Sequence, residues 1–126
     1  MATNRTTGNK VLHPELSYLI TGILFSVHNE LGQYSKEKQY GDLIEKKLKE
    51  SKITYNREVI VGNSGNILDF IIENKIVIEL KASRIITKEH YRQIQNYLQQ
   101  TGLNLGLLVN FREKYIKPIR IIRINS

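Results

Sequence analysis

Two acids and a lysine stand in an otherwise apolar stretch of the chain, and their types and spacing suit metal-dependent chemistry. Asp69 lies within the run from Ile67 to Ile72, while Glu79 and Lys81 close the run that begins at Ile76. A carboxylate that is buried without a partner either destabilises the fold or takes up a proton. A cation is therefore the expected partner of both acids.

The two runs are predicted to form a β-hairpin, and its geometry brings the acids together. Counting outward from a tight turn at residues 73–75 places Asp69 opposite Glu79. Glu79 and Lys81 are two residues apart, so they share one face of the strand. Two carboxylates at short range repel unless a divalent cation neutralises them. Mg²⁺ or Mn²⁺ would suit Asp69, Glu79, the backbone carbonyl of Leu80 and waters.

Lys81 has a chemical use beside such an ion. It could orient an attacking water and offset the charge of a phosphate in its transition state. This arrangement indicates hydrolysis of phosphodiesters. The alternative is a cross-strand salt bridge between Lys81 and one of the acids.

Three helices and five strands must position these residues. Pro14 and the apolar spacing that follows it predict a helix as far as Gly32. A second helix is predicted as far as about Ser51, with Tyr40, Ile44 and Leu48 as its apolar stripe. A third is predicted between Thr87 and Gly102. Strands are predicted over residues 53–61, 67–72, 76–80, 103–111 and 119–124.

The resulting fold class is α/β, with a mixed central β-sheet flanked by helices in the order ααβββαββ. The third strand is apolar on both faces and is expected in the middle of the sheet, whereas arginines place the last strand nearer an edge. Residues 1–12 are predicted to be a disordered N-terminal lead, and residues 13–126 to be a single domain.

Composition limits the possible functions. The 126 residues contain 19 Lys and Arg against 12 Asp and Glu, a formal charge of +7, which favours a polyanionic partner such as nucleic acid; solubility alone is the alternative that composition leaves open. There is no cysteine, which excludes disulfides, thiolate zinc sites and a cysteine nucleophile and fits a cytoplasmic location. No apolar run is long enough to cross a membrane.

Asp69 and the triplet from Glu79 to Lys81, which closes an apolar strand, resemble the PD-(D/E)XK nuclease superfamily. Four segments resemble one family within it, the GxxExxY proteins, and the match spans about residues 15–124. These segments are 32–40, 76–82, 90–98 and 106–111. The chain departs from the family pattern at Tyr34, where the family has glycine.

The resemblance implies a restriction-endonuclease-like core and divalent-metal-dependent cleavage of nucleic acid. It makes Asp69 and Glu79 metal ligands, Lys81 the catalytic lysine, and Glu37 an acid contributed by the helix before the sheet. Glu37 could instead be an early-turn acid favoured by the helix dipole.

A polar stripe on the third helix could support the site. His90, Gln93 and Tyr97 fall on one side of this helix, beside an expected apolar stripe of Tyr91, Ile94 and Leu98. Gln93 and Tyr97 also match a Gln-x-x-x-Tyr element found in some of these nucleases, and Tyr40 is a further supporting candidate. The alternative is a solvated helix flank.

Basic residues near the end of the chain and on the third helix are candidates for binding the nucleic-acid backbone. They are Lys88, Arg92, Arg112, Lys114, Lys117 and Arg120, with Arg123 beyond them. A solvated edge is the alternative interpretation.

The sequence thus predicts a metal-dependent phosphodiesterase that acts on nucleic acid, with DNA as the favoured substrate. Two alternatives remain. One is a structure-selective junction resolvase, which would act as a homodimer, and the other is a nucleic-acid-binding module that keeps the fold but does not cleave.

Overall fold

The computed structural model describes residues 12–63 and 65–124, and its elements follow the predicted order. The helices are α1 (Pro14–Leu31), α2 (Glu37–Glu50) and α3 (Lys88–Thr101). The strands are β1 (Tyr55–Val61), β2 (Asn66–Ile72), β3 (Ile76–Lys81), β4 (Leu105–Asn110) and β5 (Ile119–Ile122). The predicted N-terminal lead lies outside the described residues, except for Leu12, which packs against the core.

The five strands form one mixed sheet in the order β1-β2-β3-β4-β5. Neighbouring strands are antiparallel except β3 and β4, which are parallel and are connected through α3. Parallel neighbours need a crossover of this kind. The structure confirms a central β3, which is buried from Ile76 to Leu80, and an edge position for β5.

Helices cover both faces of the sheet. The helices α1 and α2 pack on one face around Leu24, Ile44 and Ile78, and α3 packs on the other around Ile94 and Leu108. Burying each large apolar side chain contributes about 1.5–3 kcal/mol, so these two clusters supply the main stabilisation. None of the described helices is long and apolar enough to span a membrane.

The predicted apolar stripe of α3 was wrong at one position. Tyr91 is 39% exposed, whereas Tyr97 is buried beside Ile94 and Leu98. These three buried positions have the i, i+3, i+4 spacing of one helix face. Tyr97 therefore packs in the core on the sheet side of α3.

The β1–β2 hairpin changes faces halfway along its length. Leu68 packs in the cluster under α3, but Phe70 packs in the cluster under α1 and α2. Residues two apart in a regular strand share a face, so the chain must rotate at Asp69. Opposite Asp69, Glu58 has φ +55°, and neither residue belongs to the paired register of β1 and β2. A left-handed residue inside a strand is unusual outside glycine, and here it produces the rotation.

Candidate active site

The site begins where β2 and β3 stop pairing through their backbones. Their register ends at Phe70 opposite Ile78, and the same offset puts Asp69 opposite Glu79. From this point side chains join the strands: Glu79 Oε1 accepts a hydrogen bond from the Asp69 amide at 3.0 Å, and Asp69 Oδ2 accepts one from the Leu80 amide at 2.7 Å. The structure therefore brings the two carboxylates together, each held by the other strand.

Glu79 is a buried acid beside a second acid. Only 3% of the residue is exposed. Burial, followed by the negative charge of Asp69, raises the pKa of the Glu79 carboxyl to about 8, against the opposing effect of the Asp69 amide and the Lys81 charge. Lys81 Nζ lies 3.5 Å from Glu79 Oε2. The ammonium of Lys81 thus does not balance two neighbouring carboxylates, which is expected where a cation binds.

Glu37 reaches the same end of β3 from the first turn of α2. Its Oε2 accepts a hydrogen bond from the amide of Ala82 at 3.3 Å, the residue directly after Lys81. The start of α2 is fixed by a capping interaction, because the Lys36 amide donates to Gln39 Oε1 at 2.9 Å. An acid at this position is also favoured by the helix dipole.

A cleft of about 320 Å³ opens between α2 and the rotated hairpin. Its lining includes Glu37, Asp69 and Leu80, three of the residues predicted for the site. The other lining residues are Lys38, Gly41, Asp42, Arg57, Glu58 and Phe70. The cleft exists because the half of the hairpin that contains Val61 and Leu68 turns toward α3. This rotation leaves the space beside Asp69 open.

Sequence reasoning missed Arg57, which also lines the cleft. Arg57 extends across it and pairs with Asp42 at 2.8 Å and Glu45 at 3.0 Å. Gly41 makes room for this side chain, since a Cβ there would lie 2.6 Å from an Arg57 nitrogen. A glycine inside a predicted helix was the available signal.

Tyr40 lies outside the cleft and acts on the loop before Glu37. Its ring is buried and stacks on Phe111 with ring centres 4.2 Å apart. Its hydroxyl donates to the Gly32 carbonyl at 2.5 Å and accepts from the Ser35 amide at 3.2 Å. Tyr40 therefore fixes the turn that delivers Glu37 to the site.

The departure of this chain at position 34 is compatible with that turn. Tyr34 does not have a positive φ, and the left-handed conformation of the loop falls on Gly32, at φ +74°. The side chain of Tyr34 points outward and is 78% exposed.

The three polar candidates on α3 have different surroundings. His90 Nδ1 accepts a hydrogen bond from the Thr87 amide at 3.1 Å and so caps the helix. Burial and the charge of Lys81 lower the pKa of His90, while the charge of Glu37 opposes this. Gln93 is half-buried.

Tyr97 approaches the carboxylate pair from the α3 face of the sheet. Its hydroxyl donates to the Ile67 carbonyl at 3.2 Å. Burial raises the pKa of Tyr97 to about 12, with further contributions from the charges of Glu79 and Asp69. Its ring packs in the core under α3, and its hydroxyl binds the backbone of β2 two residues before Asp69.

Asn110 is a buried polar residue that sequence reasoning did not single out as a supporting residue. It ends β4 directly beside Lys81. Its side chain donates to the Ser83 carbonyl at 2.7 Å and accepts from the amides of Ser83 at 3.2 Å and Arg112 at 3.1 Å. An amide at the end of an apolar strand was the signal. Asn110 holds the loop that follows Lys81.

Three of the predicted backbone-binding residues have partners within the protein. Arg92 pairs with Glu89, Arg120 donates to Ser17 Oγ at 2.6 Å and to the Leu12 carbonyl at 3.2 Å, and Arg123 donates to Asn104 Oδ1 at 2.8 Å. The remaining four form no ion pair with another described residue. They are Lys88, Arg112, Lys114 and Lys117.

The donors at the site fit a hard divalent cation in type. Two carboxylates and one backbone carbonyl, from Asp69, Glu79 and Leu80, are oxygen donors of the kind that Mg²⁺ prefers. Among the described residues, no three acidic or histidine side chains form a ready-made cage. A bound ion would therefore also need waters or substrate oxygens to complete its coordination.

The fold and site define an α/β protein with a restriction-endonuclease-like core. The sequence profile of the PD-(D/E)XK nuclease superfamily matches residues 14–124, and the chain belongs to this superfamily. Its members are typically nucleases, and they generally use divalent metals such as Mg²⁺.

One solved structure supports the fold independently. The crystal structure of SSO0001 is similar to this chain with a TM-score of 0.52 and 23% sequence identity, over 85% of this chain and 67% of that one. No curated protein matches the chain significantly.

Proposed function

We propose that the protein is a divalent-metal-dependent nuclease that hydrolyses phosphodiester bonds in DNA. The observation that carries this proposal is the pair formed by half-buried Asp69 and buried Glu79, with Lys81 3.5 Å from Glu79 at the end of the same strand. A pair of acids held by backbone amides and short of positive charge is costly to the fold. Such a cost is understandable where the pair binds a cation.

Each site residue has a separate role in the proposed hydrolysis. Asp69, Glu79 and the carbonyl of Leu80 would hold Mg²⁺ or Mn²⁺, which when bound offsets phosphate charge and makes a bound water more acidic. Lys81 contacts the scissile phosphate or orients the attacking water, because its Nζ lies 3.5 Å from Glu79 Oε2. Glu37, on the same cleft, accepts a hydrogen bond from that water.

Other residues position these groups. Tyr40 fixes the turn before Glu37, and His90 caps α3 next to Lys81. Gln93 and Tyr97 support the site from α3. Tyr97 does so through its buried ring and its hydroxyl, which donates to the Ile67 carbonyl two residues before Asp69.

We also propose that the chain is a GxxExxY protein. Glu37 and Tyr40 have the spacing of that pattern, and each has a distinct structural task in this fold. Tyr34 replaces the glycine of the pattern without needing a left-handed backbone, because Gly32 supplies it.

A cleavage assay tests the nuclease proposal. The wild-type protein should cut at least one substrate among linear, nicked, single-stranded and four-way DNA, and RNA, in Mg²⁺ but not in EDTA. Lys81→Ala should lower the rate by about 10²–10³-fold, the usual cost of losing one charge-stabilising donor. Lys75→Ala is the matched control, because Lys75 is exposed and precedes the opposite end of β3.

Two results would overturn the proposal. One is the absence of cleavage of any substrate, which would favour a binding module that does not cleave. The other is a Lys81→Ala variant as active as the wild type. Preferential cutting of four-way DNA by a dimer, measured by gel assay and light scattering, would favour the junction-resolvase alternative instead.

A further inference from the structure

Two tyrosines project into solvent from the loops next to the active site. Tyr34, before α2, is 78% exposed, and Tyr115, after β4, is 75% exposed. Each has a cation over its ring: the guanidinium carbon of Arg112 lies 5.3 Å from the ring centre of Tyr34, and Lys114 Nζ lies 5.5 Å from that of Tyr115. Large aromatic rings of this kind are usually buried or used in binding.

The loop after β4 is held against the loop before α2 and against the last turn of α1. Gln33 Nε2 donates to the Arg112 carbonyl at 3.0 Å, and His28 Nε2 lies 2.8 Å from the Glu113 carbonyl. Below them, Phe111 is buried against Tyr40. The exposed rings therefore stand on a fixed base, which reduces the entropy lost when a ligand binds.

This aromatic pair lies close to the catalytic residues. Tyr34 precedes Glu37 by three residues, so at most about 11 Å of chain separates them. On the other loop, the Phe111 amide donates to the Lys81 carbonyl at 2.9 Å, and Arg112 is the next residue. A nucleotide near the scissile phosphate is thus within reach of both loops.

Exposed aromatic rings combined with cations are the features that bind single-stranded nucleic acid. Unpaired bases stack on the rings while lysine and arginine contact the phosphates. Bases inside a duplex are already stacked on each other and cannot use such rings. Tyr18 is equally exposed, at 80%, but it lies on α1 and has no cation over its ring among the described contacts.

We propose that Tyr34 and Tyr115, with Arg112 and Lys114, form a stacking surface for unpaired bases, and that the substrate of the nuclease has single-stranded nucleotides beside the cut. The statement about the substrate rests on the proposed nuclease function. The binding of unpaired bases to this surface does not depend on cleavage.

Binding measured in EDTA separates the two proposals. The probe is a fluorescein-labelled thymidine strand of about 12 nucleotides, within the usual site sizes, compared with a duplex of the same length by fluorescence anisotropy. Tyr34→Leu and Tyr115→Leu should each weaken single-strand binding by about tenfold and leave duplex binding within about twofold. Tyr34→Phe should retain binding, because a phenyl ring still stacks.

Tyr18→Leu is the matched control and should bind as the wild type does. Equal loss for strand and duplex, unchanged binding in both leucine variants, or no binding of the single strand by the wild type would each overturn the inference. A uridine strand as a second probe distinguishes RNA from DNA. If the stacking surface binds the single strand but Mg²⁺ produces no cleavage, the nuclease proposal fails and the proposal of a binding surface stands.

Discussion

At the scale of single residues, Glu79 is a buried acid beside a second acid, which is costly for the metal-free fold and is the basis of the proposed cation site. Its carboxylate is 3% exposed and lies next to Asp69, and its pKa is raised to about 8. The folded protein without metal therefore carries a group that would be more stable without charge. Natural active sites often keep such costs because function requires them.

We expect Glu79→Gln to stabilise the metal-free protein while abolishing cleavage. The amide oxygen can still accept the hydrogen bond from Asp69, and folding near pH 7 no longer requires a carboxyl group to take up a proton, so the free energy of unfolding should rise by about 0.5–2 kcal/mol. Urea denaturation in EDTA measures this. The control is Glu73→Gln, which should lower stability, because hydrogen bonds from Thr54 lower the pKa of Glu73. A destabilised Glu79→Gln would contradict the expectation.

Glu58 is the second informative residue, because its backbone has φ +55° inside a strand. We expect Glu58→Val to lower the free energy of unfolding by about 1–2 kcal/mol, since a β-branched side chain is disfavoured in the left-handed region. Asn56→Val, at an exposed position of the same strand, should be neutral or stabilising. Thermal denaturation of both variants tests this, and equal effects would show that the backbone is not strained at Glu58.

At the scale of elements, the side chain of Arg57 connects β1 to α2, and Gly41 leaves the space on α2 through which it passes. Arg57 passes Gly41 to reach Asp42 and Glu45, and this contact holds α2 where Glu37 can reach the end of β3. Glycine inside a helix costs about 1 kcal/mol relative to alanine. The space that Gly41 leaves for the Arg57 side chain therefore matters more to this fold than the helix propensity that glycine sacrifices.

We expect Gly41→Ala to fail to give the stabilisation of about 0.8–1.0 kcal/mol that helix propensity alone predicts, because the new methyl displaces Arg57. In an Arg57→Met background the same substitution should give that gain. Gly22→Ala is the control, since an added Cβ on α1 meets nothing within 4 Å and should give the full gain. A double-mutant cycle by urea denaturation measures the coupling, and additive effects would contradict it.

At the scale of the whole molecule, charge is distributed unevenly with respect to the site. The chain has a formal charge of +7. Arg112, Lys114 and Lys117 follow β4 at the end of the sheet that carries Lys81, and Lys88 begins α3 there. This distribution favours binding of a polyanion across the active-site end.

We expect nucleic-acid affinity to fall by roughly 100-fold between about 50 and 200 mM salt, as for about four phosphate contacts. Lys117→Ala should reduce the slope of log affinity against log salt by about 1, and Lys75→Ala, at the far end of β3, should not. Anisotropy titrations at several salt concentrations measure both slopes. Equal changes in the two variants would mean that net charge, and not a defined surface, controls binding.

Much of this fold follows from local sequence patterns. The order of helices and strands was predicted, as was the central position of β3, because apolar periodicity and turn residues act over short distances. The pairing of Asp69 with Glu79 also followed from counting across one tight turn, since hairpin register is set locally. Glu37 was placed at the site only through the family resemblance, because its contact with Ala82 spans forty-five residues.

Tertiary structure alone decided the other half of the site. Rotation of the hairpin at Glu58 and Asp69 arises because its two halves pack under different helices, which no period-two pattern reveals. The same packing buries Tyr97 in place of Tyr91 and forms the cleft wall with Arg57. The sequence by itself determined the carboxylate pair and its lysine, because they lie on neighbouring strands. The shape of the space around them depends on long-range packing between helices and sheet, so only the folded structure could define it.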